Sequence, residues 1–311
     1  MGLEIISAEE YGQICDSFQY FYNSKEFHEL NKDKTDKVIY MVFGGKRKKL
    51  ALAIGIGEGE IKVPYSAPFG IFEKLQCHVR LEEIEEAITL IEEYGKRNKI
   101  HKIMFRLPPV FYDECFISKL QNVLLEKRYQ VCCDLNYQLY IQNMEYYNKS
   151  LLRNAKKNLK NAMKQSFLFM HCENAGQRKE AYDVIAVNRR RKGYPLRMTY
   201  RQVEDTIQLT AHDFFLLKDE GVNVASAVIF KVNNDCYQVI YWGDIAGYEE
   251  KRPMNYLAYK IYEYYACSGI KVLDIGPSTE NGIPNYGLCD FKESIGCRVS
   301  SKYTFIKKLN D

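Results

Sequence analysis

The residues best suited to chemistry are cations and carboxylates placed at the ends of predicted elements. Between Asn188 and Tyr200 the chain reads Asn-Arg-Arg-Arg-Lys-Gly-Tyr-Pro-Leu-Arg-Met-Thr-Tyr, which crowds Arg189, Arg190, Arg191, Lys192 and Arg197 around Tyr194. Guanidinium forks grip phosphates and carboxylates, so this loop could hold a phosphate-bearing substrate. It could equally follow an RNA backbone with tyrosine stacked on a base, or be a solvated helix end. Lys251 and Arg252 precede Pro253, Met254 and Asn255, where a helix is predicted to start. Free N–H groups at a helix start attract anions, and Pro suits the first turn. Lys251, Arg252 and Asn255 are therefore a candidate anion site, set against an ordinary loop. Asp274 follows an apolar run and precedes Gly276-Pro277-Ser278. A carboxylate at the carboxyl end of a strand lies where open α/β sheets bind ligands, and could act as a general base or simply cap its loop. Asp244, in Tyr241-Trp242-Gly243-Asp244, is a similar candidate. In the first half, the turn from Pro64 to Gly70 carries Tyr65 and Ser66 past a sheet edge, where they could meet a substrate or serve the turn itself.

Other chemistries find no support in the spacing. The five histidines, His28, His78, His101, His171 and His212, form no metal motif, and no metal site is expected. The ten cysteines (Cys15, Cys77, Cys115, Cys132, Cys133, Cys172, Cys236, Cys267, Cys289 and Cys297) contain no CxxC pair, and read as free thiols in a reducing cytoplasm. No G-x-S-x-G elbow occurs. A net charge of +4 is a mild excess, without the strong basic signature of a dedicated nucleic-acid binder; no DNA partner is expected, and the charge is compatible with an anionic small ligand. The first ten residues lack a secretory pattern, and no apolar run approaches the ~18 residues of a membrane span. Oligomeric state is not legible.

The elements that must position these residues alternate between helix and strand. The first half predicts a helix over Tyr11 to Leu30, a hairpin of Lys37 to Phe43 and Leu50 to Ile56, and an extended piece from Glu60 to Phe72. Leu81 to Asn98 follows as a helix, with Leu81, Ile84, Ala87, Ile88 and Ile91 on one face. A strand at Lys102 to Leu107, a helix at Phe116 to Lys127 and a strand at Tyr129 to Gln142 complete it. The second half repeats this order. A basic helix spans Asn148 to Lys164, with Arg153, Lys156, Lys157, Lys160 and Lys164 mostly on one face. Helices follow at Lys179 to Arg191 and Tyr200 to Leu209, a hairpin at Phe214 to Lys218 and Val224 to Lys231, and a strand at Cys236 to Trp242. The helix Met254 to Cys267, the strand Val272 to Ile275, a short helix at Phe291 to Ile295 and the strand Lys302 to Lys308 end the chain. The 311 residues thus read as two α/β domains, 1–146 and 147–311, each a mixed, mostly antiparallel sheet flanked by helices.

This order resembles the GNAT acyl-CoA N-acyltransferase fold used twice, as in the FemAB peptidyltransferases. Leu152 to Ala162 resembles the basic, Asn-containing helix that opens the second FemAB domain. Leu273-Asp274-Ile275-Gly276 resembles the "yDlG" strand end, and Phe291-Lys292-Glu293-Ser294-Ile295-Gly296 the "FKxxfG" element. The resemblance places Lys292 near the acceptor and the reacting carbonyl, where a cation can stabilise the developing negative charge. One part departs from it. The GNAT pyrophosphate loop, R/Q-x-x-G-x-G/A, is replaced by Gly247-Tyr248-Glu249-Glu250-Lys251-Arg252-Pro253.

The resemblance implies a cytoplasmic acyl- or aminoacyltransferase acting on an amine or hydroxyl of a bacterial cell-envelope or peptidoglycan precursor. The second domain would carry most of the chemistry, with acyl-CoA or aminoacyl-tRNA as donor. Two alternatives stand beside it: an ordinary acyl-CoA-dependent N-acetyltransferase, and a non-catalytic module of this fold that binds a nucleotide or RNA.

Overall fold

The computed structural model describes residues 1–14 and 17–309. Cys15, counted above as a free thiol, lies outside the described residues; the nine described cysteines form no disulfide with one another. The chain forms two compact units. The first is Met1–Leu135 with Thr279–Ile283 and Ser300–Asp311, and the second is Asn136–Ser278 with Pro284–Val299.

In chain order the elements begin β1 (Gly2–Ile6), α1 (Ala8–Gln13), α2 (Lys25–Asn31), β2 (Lys37–Gly44), β3 (Lys48–Gly57), β4 (Glu60–Val63) and β5 (Glu73–Lys74). Next come α3 (Leu81–Arg97), β6 (Lys102–Arg106), α4 (Glu114–Glu126) and β7 (Gln130–Tyr140). Then follow α5 (Met144–Ser150), α6 (Arg153–Ala162), β8 (Phe167–His171), α7 (Ala175–Lys192), α8 (Tyr200–Ile207), β9 (His212–Asp219), β10 (Val222–Lys231) and β11 (Cys236–Asp244). The last are α9 (Pro253–Tyr265), β12 (Val272–Pro277), the paired short strands β13 (Thr279–Glu280) and β14 (Ile283–Pro284), α10 (Tyr286–Ser294) and β15 (Arg298–Lys308).

The sheet of the first unit runs β1-β2-β3-β4-β6-β15, and that of the second runs β8-β9-β10-β11-β12-β7. Neighbours are antiparallel except for one parallel pair in each, β4–β6 and β11–β12. A helix joins each parallel pair, α3 in one and α9 in the other, as a parallel crossover requires. The antiparallel strand beyond each pair follows the other half in sequence: β15 closes the first sheet and Asn136–Tyr140 of β7 the second. The sequence division at 146/147 follows the repeat, and remains a proposal about how the two halves arose.

Amphipathic periodicity accounts for the helices. On α3, Ile84, Ala87, Ile88 and Ile91 are buried. In the second unit Ile185 of α7, Val203 of α8, and Phe214, Leu216 and Val228 of the sheet share one core. Three expectations shift. The helix from Tyr11 to Leu30 is two helices, because Ser24 accepts a hydrogen bond from Phe27 N (3.2 Å) and caps α2 afresh. The basic helix breaks at Leu151, which is extended and buried, while Leu152 N donates to Ser294 O. The short helix at Phe291 starts earlier, at Tyr286, where Asn285 caps it. The edge strands β1 and β8 had no sequence signal. No helix among the described residues is long and apolar enough to cross a membrane.

Candidate active site

The parallel pair of the second unit sets up the site. β11 and β12 pair only at Cys236↔Val272, Tyr237↔Leu273 and Gln238↔Asp274. Beyond that point the register skips Ile240 in β11 and Ile275 in β12. A bulge on each strand bends it, and together they open a wedge at the carboxyl ends. Asp274 stands at the mouth of the wedge, 1% exposed. Its Oδ1 accepts from Asn136 Nδ2 (2.7 Å) and Gly276 N (2.9 Å), and its Oδ2 from Gln238 Nε2 (2.7 Å).

Helix α10 braces the same strand end. Lys292 is buried and donates to the carbonyls of Ile275 (3.3 Å), Gly276 (2.8 Å) and Pro277 (3.0 Å). Its ammonium lies 5.3 Å from the Tyr137 ring centroid. Burial lowers its pKa to about 8, and repulsion from Arg189 adds to the fall. The flanking residues of the Phe-Lys-Glu string pack as specifically. Phe291 meets Trp242 edge-on at 5.9 Å, and Glu293 accepts from the Tyr137 hydroxyl at 3.0 Å. Burial holds the Tyr137 phenol above its ordinary range.

The cationic loop divides into separate roles. Helix α7 stops at Gly193, whose left-handed conformation (φ 67°) turns the chain so that Tyr194 N donates to Arg189 O (2.9 Å). The Arg189 guanidinium lies 5.8 Å from the Tyr194 ring and 5.3 Å from that of Tyr241. Its Nε is buried without a hydrogen-bond partner. Burial lowers the Arg189 pKa; neighbouring phenols oppose this. Arg191 instead pairs with Asp244 (3.2 Å) and Glu249 (3.0 Å). Asn188 donates to the carbonyl (2.6 Å) and carboxylate (3.2 Å) of Asp244, in a space that only Gly243 leaves open. Burial raises the Asp244 pKa, against the pull of Lys192 and Arg191. Tyr194 accepts from Asn285 Nδ2 (2.7 Å), while Arg190 and Arg197 are exposed.

The loop before α9 is folded on itself. Gly247 N donates to Glu249 Oε2 (2.8 Å), Lys251 N to Tyr248 O (3.0 Å) and Arg252 N to Glu249 O (3.2 Å). Lys251 is ion-paired with the buried Asp219. Arg252 is left-handed (φ 59°) at the helix N-cap, and Asn255 is buried one turn in. Tyr65 and Ser66, in the first unit, point inward. The Tyr65 hydroxyl donates to His28 O (3.1 Å), and Ser66 donates to Asn31 Oδ1 (2.9 Å).

Of the sequence candidates, Asp274 and Lys292 meet at the end of β12, with Arg189 close enough to repel Lys292. Asp244 sits at the end of β11 with Asn188 and Arg191. Lys251, Arg252 and Asn255 belong to the α9 start, and Tyr65 and Ser66 to the other unit. Sequence reading missed Asn136, Tyr137, Gln238, Glu293, Asn188 and Tyr241. The available signal was polar residues inside apolar strands, Asn136 and Gln138 in β7 and Gln238 in β11. Among the described residues no cluster of His, Cys, Asp or Glu could hold a metal ion.

Two units, each a mostly antiparallel sheet with one parallel pair crossed by a helix, define a tandem GNAT fold of the FemAB-like kind. The structure is similar to FemX, with a TM-score of 0.67 and 14% identity over 98% of this chain and 97% of that one. It is also similar to L-PGS from Bacillus licheniformis, with a TM-score of 0.62 and 12% identity over 99% and 94% of the two chains. A tandem GNAT protein from the clavulanic acid biosynthesis pathway aligns at a TM-score of 0.57 and 8% identity over 100% and 99%. No protein-family model and no curated protein matches this sequence. Identities this low carry the fold alone and leave the activity and the substrate to the site.

Proposed function

We propose that the chain is a cytoplasmic aminoacyltransferase that moves an aminoacyl group from tRNA to an amine or hydroxyl of a nucleotide-linked cell-envelope precursor. The observation that carries the donor is the loop before α9. Its Gly247, Lys251 and Arg252 amides are engaged within the loop, and the loop carries Glu249 and Glu250, two acids unfavourable to a pyrophosphate, in place of the glycines of the GNAT loop. A carrier held elsewhere fits this loop better.

In the reaction, the acceptor nitrogen or oxygen attacks the ester carbonyl. The new C–N or C–O bond forms, the ester C–O bond to the ribose breaks, and the acceptor proton passes to the departing ribose oxygen. Positioning supplies much of the rate. Arg189, a half-buried cation between two tyrosines with a free Nε, holds an anionic group of the acceptor. Asp244, whose proton affinity is raised by burial, is the proton carrier. Asp274 and Lys292 position the wedge by fixing the end of β12, and Lys292 also places a positive charge beside the developing oxyanion.

The test is a transfer assay with a radiolabelled aminoacyl-tRNA pool and uridine-diphosphate-linked precursors, run beside acetyl-CoA and longer acyl-CoAs. Label moving from tRNA to the precursor is expected. Turnover with acyl-CoA alone overturns the donor, and tRNA binding without transfer marks a binding-only module. The acyl-CoA reading has one observation in its favour. Parallel pairing of β11 ends at Gln238, so its remaining backbone could pair with an extended acyl carrier.

A further inference from the structure

Helix α6 carries a cationic face that the rest of the chain leaves unneutralised. From Tyr146 to Cys172 there is no Asp or Glu, yet Arg153, Lys156, Lys157, Lys160 and Lys164 fall in this run. At 3.6 residues per turn, the four on the helix, Arg153, Lys156, Lys157 and Lys160, fall within an arc of roughly 100°, and Lys164 follows in the turn just past the helix end. All five are exposed, and none forms an ion pair or side-chain hydrogen bond with a described residue. The opposite side, Ala155, Leu159 and Ala162, is buried, and the helix packs against α9. The net charge is only +4, so the stripe is a local concentration and not the mark of a generally basic protein.

We propose that this face is the landing surface for the phosphate backbone of an RNA, which rests on reading aminoacyl-tRNA as the donor. A compact anion is held by converging cations such as those near Arg189. A straight row of cations fits a row of anions. At 1.5 Å per residue the four helical cations span roughly 10 Å, the advance of about three phosphates along one strand, and Lys164 extends the row past the helix end. A lipid surface fits less well, because a helix lying on a membrane needs its apolar face free. Here that face is buried in protein, and only Leu152 and Met163, at the two ends, are exposed apolar residues. On α9, against which α6 packs, Tyr256 and Tyr259 are half-buried and keep some ring surface for unstacked bases.

The experiment measures binding of fluorescently labelled bulk bacterial tRNA between 50 and 200 mM KCl. It compares the wild type, K156A/K157A/K160A and K156R/K157R/K160R, with sedimentation on phosphatidylglycerol vesicles in parallel. With five phosphates neutralised, wild-type affinity should fall roughly 100-fold across that salt range. The alanine variant, with two contacts left, should bind more weakly at 50 mM and lose only about 7-fold. The arginine variant should match the wild type, since charge and not lysine is what the surface needs. Wild-type salt dependence in the alanine variant overturns the surface and leaves the donor reading standing. A wild type that binds no tRNA overturns both. Vesicle binding lost in the alanine variant while tRNA binding persists assigns the stripe to lipid and also overturns the proposal.

Discussion

In the first unit β4 and β6 run parallel from Glu60↔Lys102 to Val63↔Phe105 and then part, as β11 and β12 do after Gln238↔Asp274. What fills the gap differs. In the first unit the chain from 64 to 72 folds back, and Gly70 N donates to Arg106 O (2.9 Å). Phe69, Ile71 and Phe72 are buried there among the rings of Tyr20, Tyr22, Phe105 and Tyr112. In the second unit the corresponding place holds Asp274, Gln238, Asn136 and Lys292, all buried and hydrogen-bonded. An apolar plug lends stability and shuts the wedge to chemistry. A polar wedge is penalised for any buried group left unsatisfied, here Asn136 Oδ1, and is tolerated where a site needs charge. A duplicated fold can thus keep one copy as scaffold and one as site.

The contrast can be broken by mutation. The largest effect is expected from Asp274→Ala, which strands two amide side chains and a backbone N–H. It should cost about 3–5 kcal/mol in urea unfolding, whereas Tyr65→Phe in the first unit should cost about 1 kcal/mol. Equal costs would mean that the two junctions are energetically alike.

Next come two pH limbs of the same sign, one acid and one alkaline. Burial lowers the His28 pKa to about 3, from an ordinary 6.5. Between these values the unfolded chain binds a proton that the folded chain does not, so stability falls on acidification, by on the order of 4 kcal/mol. Lys292, lowered to about 8 from 10.5, gives the same sign in a different window. Its buried-charge penalty is full below pH 8 and lifts as pH rises to 10.5, by on the order of 3 kcal/mol. His28→Gln should flatten the acid limb of stability against pH, and Lys292→Met the alkaline one. Activity that uses the Lys292 charge should decline above pH 8 while stability rises.

Smaller effects separate packing from function. An added Cβ at Gly55 would lie 2.5 Å from Tyr65, so Gly55→Ala should cost about 1–3 kcal/mol in a thermal melt. Gly243→Ala would push into Asn188 at 2.6 Å and loosen its hold on Asp244, so its main readout should be kcat. A small stability change is expected for Arg189→Ala, about 1 kcal/mol, because its Nε makes no hydrogen bond and the loss is two ring contacts. Its acceptor KM should nevertheless rise at least about tenfold, the effect of losing roughly 1.4 kcal/mol of binding. A marked loss of stability with unchanged KM would make Arg189 a structural residue.

Much of this was legible from local pattern. The helix-strand pairs α3–β6 and α9–β12 stand out because their apolar residues recur at helical spacing and then run continuously. The break between α5 and α6 did not stand out, because Leu151-Leu152 continue the helical period and only the contact of Leu152 N with Ser294 O reveals the kink. Lys292 and Asp274 were found through short strings, but their setting was hidden. The partners of Asp274 include Asn136, 138 positions away, and a lone polar residue in an apolar strand reads as facing water until the fold closes over it. Arg189 and Arg191 look equivalent in sequence. Two steps along α7, a rotation of roughly 200°, decide that Arg191 meets acids and Arg189 meets rings.

The placement of Ser300–Lys308 beside β6 has a consequence for synthesis. Ribosomes deliver the chain from its amino end, and β6 emerges long before the strand that covers its open edge. Until then the first sheet carries a bare row of amides and carbonyls, the feature that invites wrong strand partners. The first unit is thus completed only after the second has been made, and the nascent chain must be kept from aggregation through that interval.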